Sequence, residues 1–248
     1  MLVINRFGIA ETAVIKGDSP GHPFRGNQWT NGGGTIGGYE MTAEQATEFE
    51  ATLSDSYAAA GVDTNTLPAD EAQTLWNYRG FGHININDTL RNPENFKDSD
   101  YDRQIAEAAK VDHANLDSIM EKAPALEQDI VVYRGMKTGA ADALGMADGT
   151  LYGDNAKAPE VGRVIHDKGY ASTTLVHGES MSMFGTSGMV LEVKVPKGTK
   201  ALSMNAADKE NLSMNFEHEM LLPRDSAIVI TGSYKADVYT IVQVELIP

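Results

Sequence analysis

An α+β fold is what this sequence predicts, and three observations carry that expectation. Helical periodicity fills residues 42–123, short β-branched segments fill 129–246, and Pro124 stands at the change. Helices first and strands second argue against an alternating parallel sheet. Each element then has a local reason. Thr42 followed by Gln45 makes a capping box, and Ala46, Phe49, Leu53 and Tyr57 recur at helical spacing until Gly61 can end the run. Pro68 opens a second helix in its first turn, carrying Leu75, Trp76 and Tyr78 before Gly80. Short helical turns are expected at 84–91, 99–109 and 111–123, where Pro124 stops the pattern. The strands expected are 129–136, 169–174, 188–195, 216–222, 226–231 and 237–246, each alternating with period two.

The chain of 248 residues has 42% hydrophobic and 22% charged residues, enough apolar content to exclude wholesale disorder. With no cysteine, a disulfide scaffold and a cysteine-ligated zinc site are both excluded. Net charge is −15, of which −12 falls within residues 41–130. Such a surface repels phosphodiester backbones and anionic lipid, so neither nucleic acid nor membrane is an expected partner. No apolar run approaches the ~18 residues of a spanning helix. MLVINRFGIAE lacks a basic, then long apolar, start, so no signal peptide is expected. Residues 16–38 hold eight glycines and two prolines around Phe24 and Trp29. Residues 1–40 therefore read as an arm or docking linker, and 41–248 as the folded domain.

Several motifs fail on their context. Gly32, Gly34 and Gly37 fit G-x-G-x-x-G, but HPFRGNQWTN before them is no strand. Asp98, Asp100 and Asp102 begin like a calcium loop, yet Arg103 and Ala109 stand where glycine and glutamate belong. They read instead as a helix-start charge cluster. The six histidines show no metal-ligand spacing, and GTSG at 185–188 is no nucleophile elbow.

Three segments place polar groups where a buried strand wants none. Arg134 follows Ile130 and Val132 on one face, Ser172-Thr173-Thr174 follows Tyr170, and Glu217 and Glu219 share a face around His218. In this order they resemble the mono-ADP-ribosyltransferase superfamily, in the bacterial-toxin branch marked by Arg, Ser-Thr-Ser and Glu-x-Glu. YRGFGHININDTLRN at 78–92 is similar to that family's I-N-x-x-L-R segment, with Tyr78, Asn87 and Arg91 matching and His83 where a second tyrosine is common. The similarity extends over about 75–245. Thr174 replaces the last serine of Ser-Thr-Ser. Phe184 stands at the place of the family's loop aromatic, and no arginine follows it before Lys194. HPFRGNQWT resembles short segments of tailed-phage head proteins.

The resemblance implies transfer of ADP-ribose from NAD to a protein side chain with release of nicotinamide, NAD being a substrate and no metal being needed. It gives Glu219 the ribose 2′-hydroxyl and the charge that develops as the glycosidic bond breaks. Arg134 offers a planar fork to the diphosphate, and Gly135 allows close approach of the nicotinamide amide. Ser172 orients Glu219, and Glu217 positions or deprotonates the acceptor. Thr173, Thr174, Phe184, Tyr78, Asn87 and His83 complete the expected NAD site. Glutamate at the first place of Glu-x-Glu implies an arginine acceptor. Two other readings stand beside this one: an NAD glycohydrolase, and a silent structural module of a phage particle docked through residues 1–40. The implied location is the cytoplasm, or a phage particle that delivers the chain.

Overall fold

The computed structural model describes residues 2–4, 10–12, 41–136, 160–178, 189–209, 212–236 and 239–247. The architecture is α+β, as the sequence implies. β1 (Leu2–Ile4) and β2 (Ala10–Thr12) pair antiparallel in a sheet of their own. α1 (Ala43–Ala59) starts on the expected capping box, with Gln45 N donating to Thr42 Oγ1 at 3.2 Å and Thr42 N donating back to Gln45 Oε1 at 3.0 Å. Pro68 is the cap of α2 (Ala69–Asn77) rather than part of its first turn.

One helical expectation is met at Gly80 and another needs correction. Gly80 takes the non-helical φ −83°, ψ −139° and kinks the chain, within the turn Tyr78–Gly82, between α2 and α3 (His83–Arg91). The turns expected at 99–109 and 111–123 are one helix, α4 (Asp100–Lys122), because Lys110 and Val111 contain no breaker. Ser99 caps it, with Asp102 returning the bond, so the aspartates do serve a helix start.

Eight strands form one mixed sheet in the order β4-β9-β10-β6-β3-β5-β8-β7. These are β3 (Ile130–Met136), β4 (Val164–Asp167), β5 (Ala171–Thr174), β6 (Met189–Val195), β7 (Leu202–Ser203), β8 (Glu219–Leu222), β9 (Ser226–Ala236) and β10 (Tyr239–Ile247). β10 and β6 run parallel, and every other pair is antiparallel. β4 and β7 were not foreseen. They are four and two residues long and too short to show a period.

Among the described residues, two large apolar cores and a small cluster of Val131, Tyr133 and Val190 pack on the sheet. One gathers Ile130, Val132, Leu191, Val193, Val242 and Val244 under Ala46 and Phe49 of α1. The other joins Tyr57, Leu75, Tyr78, Ile86, Leu116 and Ile119 of the helices to Tyr170, Leu202 and Leu221. The helical layer is thereby pressed onto the β5–β8 end of the sheet. A short helix α5 (Met204–Ala207) and a 3₁₀ turn, Leu212–Glu217, lead into β8.

Candidate active site

β5 lies between β3 and β8, so Arg134, Ser172 and Glu219 sit on three neighbouring strands. β3 and β5 share one register pair, Tyr133↔Thr174. Beyond that pair the ladder ends, leaving Arg134 and Ser172 where the two strands part. β5 and β8 stay zipped from Thr174↔Glu219 to Ala171↔Leu222. Glu219 therefore shares the face of Thr174 and of Ser172 two residues away.

Glu219 is 7% exposed and receives a hydrogen bond from Ser172. Burial pushes its carboxyl up to about 7, and Glu217 adds to the rise against the pull of Ser172, Arg79 and Arg134. Arg134 is half-buried, and burial together with nearby Arg91 holds its guanidinium below the usual range. Its Nη1 is enclosed and has no hydrogen-bond partner among the described residues. An enclosed guanidinium N–H with nothing to bond is a place for an anionic ligand. Gly135 follows it, buried and paired with Val190.

The helical layer supplies the other wall. Asn87 Nδ2 donates to Tyr78 Oη at 3.0 Å, and Tyr78 Oη lies 3.2 Å from Ser172 Oγ. Ser172 has one hydroxyl proton, and it goes to Glu219 when that group is ionised. Tyr78 must then be the donor to Ser172, which gives a one-way chain from Asn87 through Tyr78 and Ser172 to Glu219. Burial raises the Tyr78 phenol to about 12, so it keeps its proton. The other end of the Asn87 amide accepts from Tyr170 N at 2.8 Å. Arg91 grips Asp167 through Nε at 2.8 Å and Nη2 at 2.9 Å, and Nη2 also donates to Tyr170 O at 2.9 Å. Gly169 lets these side chains close on β5, for a Cβ there would lie 2.7 Å from both Arg91 Cζ and Asn87 Oδ1.

The remaining expected residues are placed as follows. Thr173 Oγ1 donates to Met220 O at 2.5 Å and Thr174 Oγ1 accepts from Val176 N at 3.1 Å, so both hydroxyls are engaged with backbone. His83 is exposed, its Nδ1 2.6 Å from Gly80 O and its ring 6.1 Å from that of Tyr78. Phe184, GTSG and the Gly-rich stretch 16–38 lie outside the described residues.

The Glu-x-Glu geometry differs from the expected single strand. Glu217 ends the 3₁₀ turn, His218 takes φ +43°, and β8 begins at Glu219. Phe216 is 57% exposed while His218 is buried, so they do not share a face. The alternation of FEHEMLL failed because a left-handed residue resets the period.

Sequence reasoning also missed a buried polar group behind this turn. Arg79, next to Tyr78, donates from Nη2 to Asn205 Oδ1 at 2.9 Å, and Asn205 Nδ2 donates to both Glu50 oxygens at 3.0 Å. The available signal was Glu50 itself, a charge on the apolar stripe of α1. Among the described residues no group of three His, Cys, Asp or Glu could hold a metal ion, and no helix is long and apolar enough to cross a membrane.

A helical layer thus packs on a mixed sheet that parts beside the half-buried Arg134 and the buried Glu219. The chain belongs to the ADP-ribosyltransferase exoenzyme family, which matches residues 54–245. Its fold is similar to that of Plx2a, an ADP-ribosyltransferase toxin from Paenibacillus larvae, at 19% identity and TM-score 0.62, covering 84% of this chain and 98% of that one. C3stau2 from S. aureus, solved with NAD, is 17% identical with TM-score 0.56, covering 81% and 95%. The ADP-ribosyltransferase Vis from Vibrio splendidus, solved with agmatine, is 18% identical with TM-score 0.57, covering 84% and 87%. No curated protein sequence matches the chain.

Proposed function

We propose that this protein moves ADP-ribose from NAD to an arginine side chain of a target protein and releases nicotinamide. One observation carries the reading most: a buried Glu219 bonded by Ser172, close to Arg134, whose enclosed Nη1 has no hydrogen-bond partner among the described residues. Arg134 directs that donor at the diphosphate, and Gly135 admits the nicotinamide amide. Ser172, held by Tyr78 and Asn87, keeps the Glu219 carboxylate turned to the ribose. Glu219 then faces the positive charge that grows as the glycosidic bond lengthens, in a site from which water is largely withdrawn. Glu217, less buried and ahead of the strand, takes the acceptor side. A glutamate at that place and the agmatine complex of Vis, a guanidine ligand on the same fold, support arginine as acceptor. Residues 41–248 form the catalytic unit in this reading, and residues 1–40 are a separate docking arm.

The test is purified full-length protein with labelled NAD, with and without agmatine or host lysate. Wild type should label the acceptor. Glu219→Gln should abolish nicotinamide release and labelling together. Glu217→Gln should lose labelling by ~10²–10⁴-fold while still hydrolysing NAD. Labelling by Glu217→Gln at the wild-type rate would remove its acceptor role, and nicotinamide release without any label would make the protein a glycohydrolase. Because Glu219 acts as a carboxylate with its value near 7, kcat/KM for nicotinamide release should fall about tenfold per pH unit below 7 and level off above it.

A further inference from the structure

α1 carries one charge where its packing asks for an apolar side chain. Ala46, Phe49 and Tyr57 are buried along it, and so is Glu50, 5% exposed. A carboxylate there is costly unless hydrogen-bonded. Among the described residues, the partners of its carboxylate, Asn205 and His218, belong to the segment that leads into Glu219. Asn205 Nδ2 reaches both Glu50 oxygens at 3.0 Å and also donates to Asn215 O at 2.8 Å. His218 Nδ1 lies 3.0 Å from Glu50 Oε2, and His218 O accepts from Leu175 N at 3.1 Å.

These bonds take hold of the chain on both sides of Glu217, at Asn215 and at His218. Glu219 is fixed differently, by its ladder with Thr174 and by Ser172. Glu217 lies ahead of that ladder, and the left-handed His218 at φ +43° sets the angle between the two glutamates. Histidine is among the few β-carbon residues that enter this region with some frequency. A buried bond to its ring favours that conformation over the alternatives.

We propose that Glu50, acting through His218 and Asn205, is a positioning residue that sets Glu217 against the cleft and thereby favours transfer to a guanidine acceptor over hydrolysis of NAD. The inference rests on the acceptor-side reading of Glu217. Displacing a reacting group by about 1 Å can cost ~10²-fold. Loosening the turn should therefore weaken transfer while leaving Glu219 able to cleave NAD.

The variants Glu50→Leu, His218→Gly and His218→Asn of the full chain separate the possibilities, with NAD and agmatine as probes. Glu50→Leu should lower agmatine labelling at least ~10-fold, with NAD hydrolysis within about threefold of wild type and KM for NAD unchanged. His218→Gly keeps the backbone conformation but drops the ring, and should do the same. It carries the test if Glu50→Leu does not fold. His218→Asn keeps a donor at the same bond distance from Cα and tolerates positive φ, so it should restore labelling. Hydrogen exchange should quicken at amides 215–219 and at Leu175 in the first two variants. An unchanged ratio of labelling to hydrolysis overturns the proposal, as does an equal fall in both. If wild type itself releases nicotinamide without labelling agmatine, the acceptor reading has failed. Exchange at 215–219 then judges the positioning claim alone, and unchanged protection in Glu50→Leu would overturn it.

Discussion

The helical and strand walls of the candidate site differ in how their charges are held. On the helical wall the polar groups against β5 are paired: Arg91 is bidentate to Asp167, Asn87 uses both ends of its amide, and Tyr78 is bonded on both sides. On the strand wall the charges are uncomfortable. Burial holds the Glu219 carboxyl near 7, and burial with Arg91 lowers the Arg134 guanidinium while its Nη1 has no hydrogen-bond partner among the described residues. The satisfied wall contributes stability, and the charges of the strand wall cost some of it, as the proposed substrate site would require. Substitutions on the two walls should therefore change stability with opposite sign.

The largest effect falls on the helical wall. Asp167→Ala leaves Arg91 without its carboxylate in a site where the two side chains are 19% and 10% exposed, and should destabilise by about 3 kcal/mol. Urea denaturation measures it, and a loss under 1 kcal/mol would break the contrast. Glu219→Gln comes next and goes the other way. Between pH 4.5 and about 7 the folded chain keeps a proton on Glu219 that the unfolded chain has released, so this group's stability contribution is lost as pH rises through that window. At pH 8 the glutamine variant should be more stable by up to about 3 kcal/mol, and at pH 4 equal to wild type. Equal stability at both pH values would mean the carboxylate is not strained. The smallest effect is expected from Arg134→Met, neutral to about 1 kcal/mol more stable. Its KM for NAD should nevertheless rise at least ~10-fold, which steady-state kinetics checks.

Much of the strand wall was legible in the sequence because period-two alternation puts a side chain on a known face. Arg134 after Ile130 and Val132, and Ser172 after Tyr170, stand out as polar interruptions of apolar rows. The resemblance of 78–92 to a family segment flagged Tyr78, Asn87 and Arg91, but not what each one holds. Asp167 gave no local signal, since β4 is four residues long and its partner Arg91 is 76 residues away. Arg79 gave no local signal either, and it is buried against Asn205 and Asp208.

By itself the sequence determined the fold class, the capping box of α1, the helix-start aspartates of α4, and the strand-borne Arg134, Ser172 and Glu219, because each follows from periodicity or from neighbours within four residues. The tertiary structure alone decided the rest. The β3–β5 ladder breaks after one pair, beside Arg134 and Ser172. The left-handed His218 separates Glu217 from the strand of Glu219, and Glu50 meets His218 across 168 residues. None of these has a local cause. Each is set by which buried polar groups find partners once the helical layer is pressed against the sheet, and sequence spacing does not encode that pairing.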